Sequence, residues 1–263
     1  MESKPASRIT GHVERHADVA SAYLAKSRDV LVWLPPSYAD SPERRYPVLY
    51  MHDGQQIFDP ATSTWGQDWE VDEWCDSLMR AGSMREVIVV GIYCTPERRE
   101  EYSTLHGADD YTRFVIEELK PMIDDRYRTL PDRAHTAVAG SSMGGGISFH
   151  MAWTRPDVFS QAACLSPAFT YEQDPILMQR VRDCTERPDL RLYLYCGEAD
   201  DLERILVNDL YLMKAALAGI GWTEGPDLMI EIDPEGRHNE ATWAKHTGTW
   251  LRFLFGIDEG RTF

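Results

Sequence analysis

The chain has 263 residues, 43% of them hydrophobic and 11% aromatic, which is enough to bury a sizeable core and too apolar for a disordered chain. Its 27 Lys plus Arg stand against 43 Asp plus Glu, a formal net charge of −16. That balance argues against nucleic acid and membrane surfaces as partners, because both select a basic footprint.

The first twenty residues lack the apolar stretch of a signal peptide, and no run reaches the length of a membrane span. Five scattered cysteines (Cys75, Cys94, Cys164, Cys184 and Cys196) form no CxxC pair, so reduced thiols in a cytoplasmic protein are expected. The stretch HVERH, His12 to His16, superficially matches a zinc-protease spacing, but its glutamate falls one place late and its setting is an early strand or loop. No metal and no cofactor are expected.

Further along, DVLVWLPPSY predicts a strand ended by two prolines, and YPVLYMHDG a strand running into a glycine-bearing loop. VDEWCDSLMRAG places Val71, Trp74, Cys75 and Leu78 at helical spacing; Trp74 belongs to the buried face. EVIVVGIYC is a continuous apolar run, as in a strand covered on both faces. DDYTRFVIEELKPMIDDRY predicts an amphipathic helix with a kink at Pro121. HTAVAGSS, QAACLSP and LRLYLYCGEADD predict three more strands, and Leu206, Leu210, Met213 and Leu217 form one helical stripe. A last strand, DLMIEIDPEG, precedes a helix carrying Trp243, Trp250 and Leu254.

This alternation predicts an α/β fold with a mostly parallel central sheet and helices on both faces. No linker, repeat or low-complexity segment divides the chain, so one domain is expected over residues 1–263, with residues 1–24 as its N-terminal strand or loop segment. Ligands of such sheets gather at the carboxyl ends of the strands.

Gly140-Ser141-Ser142-Met143-Gly144 is a G-x-S-x-G pentapeptide. The bare pattern arises by chance in about one chain in ten of this length, but here a strand ends directly before it and a helix begins directly after. That is the setting of a nucleophile elbow, a strained turn that lifts a serine for attack. A phosphate-binding loop is excluded by the missing lysine and the wrong glycine spacing. Serine needs a base, itself held by a third group. Of the three downstream histidines, His150 lies inside the helix after the elbow and His246 inside the last helix, whereas His238 follows a strand on the correct edge. Glu198, Asp200 and Asp201 follow the penultimate strand; Asp200 is the expected acid and Asp201 a helix cap. The backbone N–H groups of Met143 and Gln55 are placed to form an oxyanion hole.

The segments VLYMHDGQQIFDP, WEVDEW, VAGSSMGGGIS, Gly197 to Asp200 and GRHNEATWAKH together resemble the "Putative esterase" family of α/β-hydrolases, which is related to enterochelin esterases, feruloyl esterases and mycolyltransferases. The likeness runs from about residue 25 nearly to the C-terminus. It implies an α/β-hydrolase fold and a serine acyl-enzyme mechanism, with the nucleophile at Ser142, the base at His238, the acid at Asp200 and the oxyanion donors at Met143 and Gln55. Many relatives are exported, so location does not carry over.

The expected reaction is hydrolysis of a small-molecule carboxylic ester, with acyl transfer to a sugar or other alcohol as the alternative and a non-catalytic binding protein as the alternative of another class. Phe58, Trp65, Trp69, Tyr102, Phe169 and Tyr171 lie in loops after strands and are expected to rim the site, where aromatics suit an aryl or acylated-sugar ester. Arg98 and Arg99 are read as a solvated pair able to meet a carboxylate. Oligomeric state leaves no trace in the sequence.

Overall fold

The computed structural model describes residues 5–170 and 174–257. The antiparallel pair β1 (His12–Val19) and β2 (Arg28–Leu34) comes first, and β2 stops where Pro35 and Pro36 remove two ladder donors. Then follow β3 (Val48–His52), α1 (Val71–Arg80) and β4 (Ile88–Ile92). A helical excursion, α2 (Arg98–Tyr102), α3 (Ala108–Arg113) and α4 (Lys120–Arg126), leads to β5 (Thr136–Ser141). After it the chain alternates: α5 (Met143–Thr154), β6 (Gln161–Leu165), α6 (Ile176–Arg182), β7 (Arg191–Gly197), α7 (Asp201–Gly219), β8 (Leu228–Asp233) and α8 (Glu240–Phe255).

The eight strands make one sheet in the order β1-β2-β4-β3-β5-β6-β7-β8. β2 pairs antiparallel with β4, and every pair from β4 to β8 is parallel. The α/β-hydrolase fold expected from the sequence is therefore the observed one. β3, β4, β5 and β6 are buried at every position, which is why they read as continuous apolar runs instead of alternating ones.

Alternate residues of the strands feed two cores. Val30, Val32, Tyr50 and Val90 belong to one core, shared with Phe114 and Leu119 from the stretch between α3 and α4 and with Leu206 and Leu210 of α7. Leu31, Trp33, Leu49 and Val89 belong to the other, shared with Cys75 and Leu78 of α1 and Trp250 and Leu254 of α8. Each large side chain fully buried this way contributes about 1.5–3 kcal/mol. Trp74, read as part of the buried helix face, packs against the second core and donates from Nε1 to the Ala244 carbonyl at 3.1 Å, tying α1 to α8.

Ahead of Pro121, between α3 and α4, the helix widens into a π-helical stretch, Phe114–Leu119, and Pro121 is the second residue of α4. The wider turn relieves the clash its ring would make with the carbonyl four residues back.

Candidate active site

β5 ends at Ser141 and α5 begins at Met143, so Ser142 alone makes the turn, at φ 57° and ψ −126°. A non-glycine residue there costs on the order of 1–3 kcal/mol and persists only if its surroundings enforce it. They do. The Ser142 N–H donates to the Leu165 carbonyl at 2.9 Å, and its own carbonyl accepts from Gly146 and Ala168, both at 3.0 Å. A Cβ on Gly140 would lie 2.6 Å from the Gly144 carbonyl oxygen, so the glycines answer a steric demand.

Met143 supplies the first N–H of α5, which has no acceptor within its own helix. Gln55 lies in a single 3-10 turn, Gly54–Gln56, directly after β3. Its amide is clamped to the chain beyond β4: Nε2 donates to the Cys94 thiol at 2.8 Å, and Oε1 accepts the Cys94 N–H at 3.2 Å. Ser142, Gln55 and His238 line one cleft of about 660 Å³, together with Trp65, Trp69 and Trp243.

His238 sits in the loop between β8 and α8. Its Nδ1 lies 2.7 Å from Oε1 of Glu203, a residue in the first turn of α7 that is wholly shielded from solvent. The other Glu203 oxygen accepts the Gly197 N–H at 2.7 Å and the Cys196 thiol at 3.1 Å. Burial works to raise the Glu203 pKa, but hydrogen bonds from His238, Ser166 and Cys196 outweigh it and hold the carboxyl below its ordinary value. Trp243 completes the support, donating from Nε1 to Ser166 Oγ at 3.0 Å and meeting the His238 ring edge-on at 5.0 Å.

The expected contact of Asp200 with the imidazole is absent. Asp200 Oδ1 accepts the Glu203 N–H at 2.9 Å, capping α7, and Oδ2 accepts the backbone N–H of His238 at 2.8 Å. Asp201, expected to be the cap, is exposed and pairs with Arg204 at 3.0 Å. Asp200 is thus spent on one N–H of the helix start and on the His238 N–H, and the carboxylate three residues later reaches the ring. A signal for Glu203 existed: it lies three and four residues before Leu206 and Val207, on the buried stripe of α7, where an acid is out of place.

Backbone contact makes this reach possible. A Cβ on Gly197 would stand 2.3 Å from the Gly236 carbonyl oxygen, so the loops after β7 and β8 touch main chain to main chain. The Ala199 N–H donates to the same oxygen at 2.9 Å.

The other downstream histidines lie elsewhere. His150 is buried within 3.2 Å of Asp109 and Arg180, and burial pushes its pKa down to about 4. His246 bridges Glu231 at 2.9 Å and Asp233 at 3.2 Å.

Of the expected rim aromatics, Trp65 and Trp69 line the cleft. Trp65 is 76% exposed, and Trp69 leans on Trp243 with ring centroids 5.4 Å apart. Phe58, Tyr102 and Phe169 do not line it. Phe58 is buried in the core beside α1. Tyr102 is buried against His52 and Tyr111, and Phe169 edge-on against Phe149. All three fill the space between loop and sheet, where apolar area gains most from burial. Tyr171 lies outside the described residues. Arg98 is no free anion binder, because it grips Asp53 through two bonds of 2.7 and 2.8 Å in the cleft wall.

Comparison with known proteins follows the same line. The family model described as "Putative esterase" matches residues 21–218. An endo-1,4-beta-xylanase/feruloyl esterase of Xylanibacter ruminicola is 27% identical over 191 residues, 70% of this chain but 24% of that protein; the chain thus spans about a quarter of that relative's length. Ferri-bacillibactin esterase BesA of Bacillus subtilis is 24% identical over 227 residues, 74% of this chain and 76% of BesA. Among solved structures, a ferulic acid esterase superposes with a TM-score of 0.75 at 23% identity, covering 94% of this chain and 98% of that one, a likeness of fold.

Proposed function

The chain belongs to the "Putative esterase" family, and on that premise we propose that it is a serine esterase that cleaves carboxylic esters through Ser142, His238 and Glu203. The observation that carries the proposal is the pairing of a serine at an enforced positive-φ elbow with a histidine in the same cleft, whose Nδ1 is held 2.7 Å from a buried carboxylate. That bond fixes the ring with its proton on Nδ1 and the lone pair on Nε2, the form a general base requires.

In this mechanism Ser142 Oγ attacks the ester carbonyl carbon while its proton passes to His238 Nε2. The carbonyl oxygen becomes an oxyanion, met by the N–H groups of Met143 and Gln55 at the starts of their helices, where backbone donors have no internal partner. Collapse breaks the bond to the leaving oxygen, which takes the proton from His238. Water, deprotonated by the same imidazole, then releases the acid and restores Ser142.

Trp65, exposed on the cleft wall, with Trp69 and Trp243 beside it, favours an aryl ester as substrate, in keeping with the names of the feruloyl and siderophore esterase relatives. All five cysteines are free thiols, which supports a reducing, cytoplasmic setting. Among the described residues no helix is long and apolar enough to cross a membrane.

The test is turnover of a small aryl ester by Ser142→Ala. A loss of kcat of at least about 10³-fold is expected; near wild-type turnover, with contaminating esterases excluded, contradicts the proposal.

A further inference from the structure

Asp68, Asp72 and Glu73 stand at and just before the start of α1, in the same segment as the cleft-lining Trp69. One carboxyl oxygen from each lies within 4.8 Å of the others. Asp68 and Asp72 are completely buried. Asp68 Oδ1, Asp72 Oδ1 and Glu73 Oε2 are all shielded from solvent with no hydrogen-bond partner.

Acidic residues at a helix start are common, and the helix dipole favours them. It does not explain why two wholly buried aspartates converge on a third carboxyl, because burying carboxylates together without cationic partners is strongly disfavoured. The other oxygens of the two aspartates are occupied: Asp72 Oδ2 accepts the Thr10 N–H at 2.6 Å, and Asp68 Oδ2 the Glu70 N–H at 3.3 Å. What remains is three converging carboxyls, each with one shielded oxygen, with Asp72 and Glu73 near enough to share a hydrogen bond.

We infer that Asp68, Asp72 and Glu73 hold one hard divalent cation of the Ca²⁺ or Mg²⁺ class. The donors are all oxygen, the set such ions take, with no sulfur or imidazole to favour zinc. Three oxygens within 4.8 Å of one another share a centre no more than about 2.8 Å from each, so a small inward shift brings them to calcium–oxygen distances. Through Asp72 the ion braces the N-terminal strap at Thr10, and through Asp68 the loop of Trp65 and Trp69.

The experiment uses the full chain, stripped with chelator and titrated separately with CaCl₂ and MgCl₂, followed by calorimetric binding and thermal unfolding. The expected result is binding of about one ion per chain and a rise in Tm of about 5–10 °C at roughly 100 times Kd. Asp68→Asn and Asp72→Asn should each abolish the ion-dependent rise; if one does not fold, the other decides. No binding of either ion at millimolar concentration with an unchanged Tm, or an undiminished rise in the folded Asn variants, overturns the inference.

Discussion

Two carboxylates three residues apart divide the work beside His238. Glu203 meets the ring, while Asp200 holds the backbone at both ends of the contact. Glu203→Gln should therefore fold and lose about 10³–10⁴ in kcat, because an amide no longer enforces the working tautomer. Asp200→Ala should cost about 1 kcal/mol in stability through loss of the helix cap, with less than about tenfold loss in kcat. Denaturant titration alongside steady-state kinetics on both variants separates the roles; a larger kcat loss in Asp200→Ala than in Glu203→Gln would reverse them. Sequence order alone pointed to an acid after the penultimate strand and left three candidates. The proposed nucleophile and base, Ser142 and His238, could be named because pattern and position coincide there, whereas the carboxylate that meets the ring depends on which side chain the first helical turn directs inward. The stripe of α7 carries that information, but it reads equally as a packing pattern.

The elements position these groups through close backbone approach and buried charge. Gly197→Ala would place a methyl group 2.3 Å from the Gly236 carbonyl oxygen, so it should push the His238 loop away and lower both Tm and kcat. An unchanged Tm and kcat would show that the loops do not need this contact. At the other end of the β8–α8 unit, His246 sits between Glu231 and Asp233. Burial opposes its charge, but the two carboxylates outweigh this and raise its pKa above 6.5. The hydrogen bond from His246 lowers the Glu231 pKa below 4.5. Stability from the raised histidine is full below its unfolded pKa and lost as pH rises through its folded one. Stability from the lowered carboxylate is present above its unfolded pKa and lost on acidification. The unfolding free energy of wild type minus that of His246→Gln should therefore peak between 4.5 and 6.5 and shrink by pH 8; a difference flat in pH would contradict the pairing. The core strands were readable because burial on both faces leaves uninterrupted apolar runs. The short helices α2 and α6 were not, since five and seven residues hardly complete a period.

Across the whole molecule, the formal charge of −16 creates a field that should disfavour anionic esters. Their kcat/KM should rise several-fold from about 0.01 to 0.15 M NaCl as screening shortens, while that of a neutral aryl ester stays nearly constant. An anionic ester indifferent to salt would show the field does not reach the cleft. Composition gave this charge but not the distribution of aromatics: Phe58, Tyr102 and Phe169 serve the core, Trp65 lines the cleft and Trp69 does both, although all follow strands in the chain. Which way a loop residue faces depends on the space beneath it, which exists only once the sheet is assembled. The acidic trio near Trp69 was equally silent, because its convergence comes from the turn into α1. Covalent trapping tests most directly the proposed activation of Ser142 by a histidine held on Glu203. An aryl organophosphonate followed by peptide mass spectrometry should place one adduct on Ser142, with the trapping rate reduced about 10³-fold or more in Glu203→Gln and close to wild type in Asp200→Ala. An adduct on another residue, or wild-type trapping by Glu203→Gln, would contradict it.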